Sequence, residues 1–379
     1  MAPAPQLRYP CSLEAAADYH LNDLDTLDPS SWRKVKTLGE AIFGKVYLAQ
    51  ATPELQKKYP GLPEVFALKQ MSREAVSAGR PGLESARNEL CAGRRLQKLG
   101  LPCLAPIYFV AQGLGKGKGS DSGEPSFFLA TEYCELGELF AHLQRLGSIQ
   151  CQQAMPEAMW QLLTGVTALH EAGIAHRDIS LENLLVNGQG NIRLIDFGQA
   201  LSVRAPGAGD AREARVPQTL LGLPGKEHYR APEVYKASSY LSTKLDVFAC
   251  GVLLYTLAVG MYPPRDKLFP PEDVQADRCR ALSSYLRSSK LQDRIGPAML
   301  DLLEQMMAPN PQKRMTAAEA LEHPWMKGTV DNYMELLDDE MEMENQGFGE
   351  TSSSLRAVED FTTCGAHGYV GGSLDGMIA

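Results

Sequence analysis

The stretch His176-Arg177-Asp178-Ile179-Ser180-Leu181-Glu182-Asn183, followed after a short apolar run by Asp196-Phe197-Gly198, decides how this chain is read. It places a carboxylate, an amide and a second carboxylate in order. Transfer of a phosphoryl group needs one carboxylate to orient an attacking hydroxyl and accept its proton. It also needs further oxygen ligands to hold Mg²⁺ against the phosphates. Asp178 can serve as the first; Asn183 and Asp196 can serve as the second. A bland reading makes Asp178 a loop cap and Asp196 a turn residue. Either motif alone would leave that reading standing, and the ordered pair argues against it.

The ordered pair resembles the catalytic signature of eukaryotic protein kinases, H-R-D-x-x-x-x-N and D-F-G. The resemblance implies an α+β, bilobal protein-kinase fold: a β-rich N-lobe with one key helix and a mostly α-helical C-lobe. It also implies ATP and Mg²⁺ as cofactors and a protein as substrate. Other landmarks follow in the family's order. Leu38-Gly39-Glu40-Ala41-Ile42-Phe43-Gly44-Lys45-Val46 resembles the Gly-rich loop over the phosphates, where glycines let backbone N–H groups approach without a Cβ in the way. Ala41 stands where the middle glycine is usual. Alanine does not readily adopt positive φ, so a stiffer loop tip is expected.

Ala67-Leu68-Lys69 resembles the third-strand lysine motif. Lys69 is expected to bind the α- and β-phosphates and to pair with a helix Glu, with Glu89 the first choice and Glu84 the alternative. Gly93, one turn beyond Glu89, leaves a gap where the family usually packs an apolar side chain. Phe127 to Cys134 resembles the strand and hinge beside adenine. Thr131 would gate the back pocket, and Glu132 and Cys134 would offer backbone groups to the adenine edge. Glu138 would sit near the ribose or the substrate's basic residues. Leu38, Val46, Ala67 and Leu185 complete the nucleotide-binding set that the resemblance implies.

Ala231-Pro232-Glu233 resembles the end of the activation segment, and Glu233 is expected to form a buried ion pair with Arg314. Asp246 fits the carboxylate that caps the catalytic-loop backbone. Two positions depart from the family pattern together. The residue two after Asp178 is usually Lys and here is Ser180; a Thr is usual seven residues before Glu233, and here it is Lys226. The hydroxyl and the ammonium have exchanged places, so Lys226 is expected to supply the cation beside the transferring phosphate and Ser180 the hydroxyl contact. The bland alternative turns Lys226 to solvent.

Arg177 before Asp178 usually marks an activation segment ordered by a phosphate, and Thr219 is the nearest hydroxyl to the usual position, Gly222. Glu138 and Glu182 match positions that face basic residues upstream of the acceptor, and Thr256 stands where some members carry another acid. Ser180-Leu181-Glu182 lacks the Ala/Arg-rich pattern of Tyr-specific members, so Ser/Thr hydroxyls are the expected acceptors. A pseudokinase, binding ATP or partners without catalysis, is the alternative that the Ala41 and Ser180 departures keep open. A small-molecule kinase would not usually carry both A-P-E and the His323-Pro324-Trp325 ending.

Working outward, the 379 residues suit two packed lobes plus a tail. A net charge of −9 with no long Lys/Arg run argues against nucleic acid as a partner. The eight cysteines form no C-x-x-C pair and lie in apolar stretches, which reads as reduced thiols of a cytoplasmic chain, the nucleus also open. The longest apolar run, Phe248 to Tyr262, is shorter than the roughly 20 residues of a membrane span, so a buried helix and no membrane insertion are expected. Oligomeric state is left open.

The organisation read from composition is an N-terminal leader (1–31, with Asp23, Asp25 and Asp28), a kinase domain (32–326, N-lobe 32–133 and C-lobe 134–326) and a tail (327–379). Val35–Leu38, Val46–Gln50 and Val65–Gln70 read as strands. The segment 51–64, with three prolines, reads as an inserted loop. Residues 83–99 fit an amphipathic helix with Leu90, Leu96 and Leu99 on its apolar side. The Gly/Ser/Lys-rich 113–125 reads as a mobile hairpin loop. Gln153–Ala172 and Val247–Gly260 read as helices. The tail reads as a short acidic helix followed by a disordered Gly/Ser-rich end.

Overall fold

The computed structural model describes residues 21, 24–77, 85–115, 123–146, 148–203, 216–217, 223–270 and 275–327. Alternation along the strands sorts the first third into two faces. In Val65–Ser72, Phe66 and Leu68 join a buried cluster with Trp32, Phe109 and Phe128. Ala67 and Lys69 lie on the opposite face, as successive strand residues must. Six strands make this sheet: β1 (Asp25–Leu27), β2 (Trp32–Ala41), β3 (Gly44–Ala51), β4 (Val65–Ser72), β5 (Ile107–Gly115) and β6 (Glu124–Thr131). Their spatial order is β1-β5-β6-β4-β3-β2. Neighbours are antiparallel except β1, which runs parallel to β5 along the edge.

β1 lies within the stretch read as a polar leader. Leu21, Leu24 and Leu27 are buried, and Asp25 accepts a hydrogen bond from the Tyr59 hydroxyl at 3.0 Å. The segment read as a loop, 51–64, contains helix α1 (Pro53–Lys58). Thr52 caps it by accepting the Leu55 N–H, Pro53 opens the first turn, and Leu55 is buried. The prolines that suggested a loop therefore include a helix-opening one.

After α2 (Arg73–Ser77), helix α3 (Ala86–Leu99) begins at Ser85, whose hydroxyl accepts the Asn88 N–H, and ends at Gly100 with φ of 56°. Leu90 and Leu96 face inward, but Leu99 is 43% exposed. Nine residues at 100° each carry position 99 to the far side of the helix from Leu90. The gap expected at Gly93 is filled: a Cβ there would meet Leu129 Cδ1 at 2.8 Å and Val110 Cγ2 at 3.2 Å. Larger neighbours on the sheet occupy the space that the small residue leaves.

The lower lobe is helical: α4 (Leu139–Leu146), α5 (Ser148–Glu171), α6 (Glu233–Lys236), α7 (Ser242–Val259), α8 (Arg265–Leu268), α9 (Ala281–Ser288), α10 (Pro297–Met306) and α11 (Ala317–Leu321). α7 is apolar nearly all round and its residues are mostly buried, as in the central helix of a globular core. Short strands pin the loops between the lobes. β7 (Gly137–Glu138), β9 (Leu184–Val186) and β10 (Ile192–Leu194) form one sheet; β8 (Ile174–Ala175) pairs with β11 (Leu201–Ser202), and β12 (Val216–Pro217) with β13 (Ser239–Tyr240). Residues 328–379, and with them the expected tail helix, lie outside the described residues.

One buried ion pair ties α6 to the loop before α11. Arg314 Nη1 and Nη2 donate to Glu233 Oε1 and Oε2 at 2.7 and 2.9 Å, and both residues are buried. Truncating Arg314 to Met leaves a buried carboxylate without its partner. Urea titration should show a loss of about 3–5 kcal/mol in unfolding free energy. An unchanged midpoint would show the pair to be dispensable.

Candidate active site

The site forms where the sheet face bearing Lys69 meets the loops 176–183 and 195–200. Strand register sets out the roof. Val46 pairs with both Gly39 and Lys69, and Ala67 pairs with Thr131. Val46, Ala67 and Lys69 therefore share one face. At the turn between β2 and β3, Ala41 pairs with Gly44, and no positive φ occurs at Ala41. The turn therefore asks for no positive φ at Ala41. Gly44 is the constrained position: a Cβ there would lie 1.9 Å from the Gln70 carbonyl oxygen.

Lys69 Nζ donates to Glu89 Oε1 and Oε2 at 2.6 and 2.7 Å. Burial pushes the Glu89 carboxyl above its usual range, and the Lys69 charge opposes that shift. Glu84, the alternative partner, lies outside the described residues. At the hinge, the Glu132 N–H donates to the Pro106 carbonyl, and the Cys134 carbonyl accepts from Gly137. Among the described residues the opposite backbone groups, Glu132 C=O and Cys134 N–H, have no backbone partner and are open to a ligand edge. The Glu132 side chain accepts from Asn187 and Arg193, and burial pushes the Cys134 thiol to about 12. Glu138 is exposed and pairs in register with Leu185 of β9.

The catalytic loop hangs from one carboxylate. Asp246, buried on α7, accepts the N–H of His176 at 2.9 Å and of Arg177 at 2.7 Å, and contacts His170 at 2.9 Å. This anchor holds Arg177 at φ of 68°. Asn183 Nδ2 donates to Asp178 O at 2.7 Å and to Asp178 Oδ2 at 3.0 Å. Asp178 Oδ1 is shut from solvent and has no hydrogen-bond partner among the described residues. Burial pushes the Asp178 carboxyl up; Lys226 and His176 oppose the shift by charge.

Asp196 has φ of 63° and accepts the Gly198 N–H, while Ile195 N–H donates to the Asn183 carbonyl at 3.0 Å. Asn183 and Asp196 are thus held side by side. The Asn183 amide nitrogen is turned to Asp178, which leaves its oxygen as the cation-facing end. An amide oxygen and a carboxylate are the hard donors that suit Mg²⁺.

Lys226 does not point away. Its Nζ donates to Ser180 Oγ at 2.8 Å and lies 3.2 Å from Glu182 Oε2. Ser180 is fully buried. The Glu182 carboxyl lies below its usual range: burial works against this, and its own backbone N–H and Lys226 outweigh it. The exchanged hydroxyl and ammonium therefore meet across the loop.

Residues 32–326 match the protein kinase domain family. The chain belongs to that family. CBL-interacting protein kinase 25 of Oryza sativa subsp. japonica is 31% identical over 297 residues, 76% of this chain and 50% of that protein. CBL-interacting protein kinase 31 of the same plant is 29% identical over 297 residues, 77% of this chain and 56% of that protein. Calcium/calmodulin-dependent protein kinase type II alpha chain of Drosophila melanogaster is 39% identical over 171 residues, 44% of this chain and 29% of that protein. The chain spans about half the length of the rice kinases it matches.

Within this kinase domain several contacts lie beyond what sequence motifs signal. Asn88 donates to backbone carbonyls after Asp196, Gln199 accepts from Gly225, and the Tyr229 hydroxyl accepts the Leu181 N–H. None belongs to a short motif, though Asn88 does stand beside Glu89. Thr256 is buried, and its hydroxyl donates to Val252 O within α7, so it does not face a substrate. Arg177 donates to the Tyr240 hydroxyl and the Gln199 carbonyl; Thr219 and Gly222 lie outside the described residues.

Proposed function

We propose that this chain transfers the γ-phosphate of Mg-ATP to Ser or Thr hydroxyls of protein substrates. The observation that carries the reading is the reach of Lys226 to Ser180, which sets a cation at the catalytic loop where the usual lysine is missing. Asp178 orients the acceptor hydroxyl and takes its proton. Lys69, held by Glu89, binds the α- and β-phosphates. Asn183 and Asp196 would hold Mg²⁺, which when bound neutralises phosphate charge. Lys226 stabilises the equatorial oxygens of the moving phosphoryl group.

A modest preference for Arg or Lys before the acceptor follows from exposed Glu138. Glu182 contributes less, because Lys226 already pairs with it. Phosphorylation of a peptide library by the purified chain, with Asp196→Ala as control, tests both claims. Transfer to Ser and Thr that the control lacks is expected. ATP binding without any transfer would favour the pseudokinase reading. A library favouring acidic or proline-directed sites would overturn the preference.

A further inference from the structure

The segment after Asp196 is gripped from two sides by neutral amide side chains. From α3, Asn88 Nδ2 donates its two hydrogens to the carbonyls of Ala200 at 2.8 Å and Gly198 at 3.0 Å, with Phe197 O at 3.3 Å sharing one of them. These carbonyls converge because the chain turns there, with the Ala200 N–H donating to Phe197 O. Asn88 is only 5% exposed. The Ser85 N–H adds a bond to Gly198 O at 3.2 Å. The first turn of α3 is thereby fastened to the Asp196 segment, and the next residue, Glu89, holds Lys69. On the other side, Gln199 Oε1 accepts the Gly225 N–H at 2.9 Å. Gly225 has φ of 76°, and a Cβ there would come within 3.0 Å of the Arg177 carbonyl. Its successor is Lys226.

We propose that Asn88 and Gln199 are positioning residues: a two-amide brace that sets Asp196, the Lys69–Glu89 pair and Lys226 in one register. Carbonyl oxygens only accept; the Phe197 and Gly198 carbonyls also have backbone donors, so the Ala200 carbonyl is the one that most needs a side-chain donor at position 88. A backbone N–H only donates, so position 199 needs an acceptor. Neither amide touches a reacting group. Both are uncharged, so they fix geometry without altering the charge of the site. The inference rests on the kinase reading of Lys226 and Asp196.

Four variants of the full chain test it. Asn88→Asp turns a donor into an acceptor facing three carbonyls, and Asn88→Ala leaves room for water. Both should raise the Mg²⁺ concentration for half-maximal rate, by about tenfold for Asn88→Asp. Both should also speed hydrogen exchange in the peptide 196–203, a reading independent of catalysis. Gln199→Leu should lower kcat about tenfold with little change in KM for ATP, while Gln199→Glu, which still accepts, should stay within about threefold of wild type. The brace is overturned if the Asn88 variants lower only the melting temperature, with Mg²⁺ dependence and exchange unchanged. It is equally overturned if Gln199→Glu is as impaired as Gln199→Leu. Should Asn88→Asp not fold, Asn88→Ala gives the same two readings. If the wild type transfers no phosphate, the kinase reading fails, and the exchange measurement still decides the brace.

Discussion

Replacing Asp178 with Asn lowers phosphoryl transfer by about 10²–10⁴-fold while ATP affinity changes little. The geometry explains the split. Asn183 holds one oxygen of Asp178, and the other is buried without a partner. A carboxylate held in this way can take the proton of an acceptor hydroxyl that reaches it. An amide at position 178 keeps the shape but cannot take the proton. Asp196→Ala should act differently, because on the proposed reading it removes a Mg²⁺ ligand and so damages use of the nucleotide itself. Turnover and ATP binding measured side by side separate the two. Near wild-type transfer by both variants would end the enzyme reading.

Lys226→Ala should cost about 10²–10³ in kcat, the range found when a preorganised stabiliser of developing charge is removed. Loss alone would not separate a catalytic lysine from a structural one. The informative variant restores the family's usual arrangement, Lys226→Thr combined with Ser180→Lys. The two side chains are 2.8 Å apart, so exchanging them returns a cation and a hydroxyl to the same small volume. Much of the lost activity should come back. Ser180 is fully buried, so Ser180→Lys alone brings a second ammonium beside Lys226 and should be poor. With Lys226→Thr and Ser180→Lys as the single variants, two poor singles and a recovered double are strong coupling between contacting residues. If Lys226→Ala turns over like wild type, the exchange has no catalytic meaning.

The parts of this site legible from sequence are those whose chemistry forbids substitutes. Asp178, Asn183 and Asp196 stand out because, on the proposed reading, each would supply a distinct atom to one reaction. Lys226 was legible for a related reason: a missing charge at 180 calls for a charge elsewhere, and the expected Thr position held one. Gly93 misleads, since its effect depends on its neighbours. The turn at Ala41 needs no positive φ, and Leu129 and Val110 fill the space beside Gly93. Asn88 and Gln199 are silent in sequence because any amide looks alike until the carbonyls or N–H it serves are placed near it. Helix α1 was hidden by proline, which opens helices as readily as it ends them.

The strand Asp25–Leu27 redraws the limits of the folding unit. Family similarity begins at residue 32, yet the sheet does not. A fragment trimmed to 32–326 would lay bare the outer edge of β5 and the apolar bed of Leu21, Leu24 and Leu27. An unpaired edge with apolar surface beside it is a template for pairing with other chains. Such a fragment would keep every residue of the candidate site and still be prone to self-association. The cover of the sheet edge and the motifs of the candidate site therefore lie in different stretches of this chain, and a boundary drawn from the motifs alone would sever one from the other.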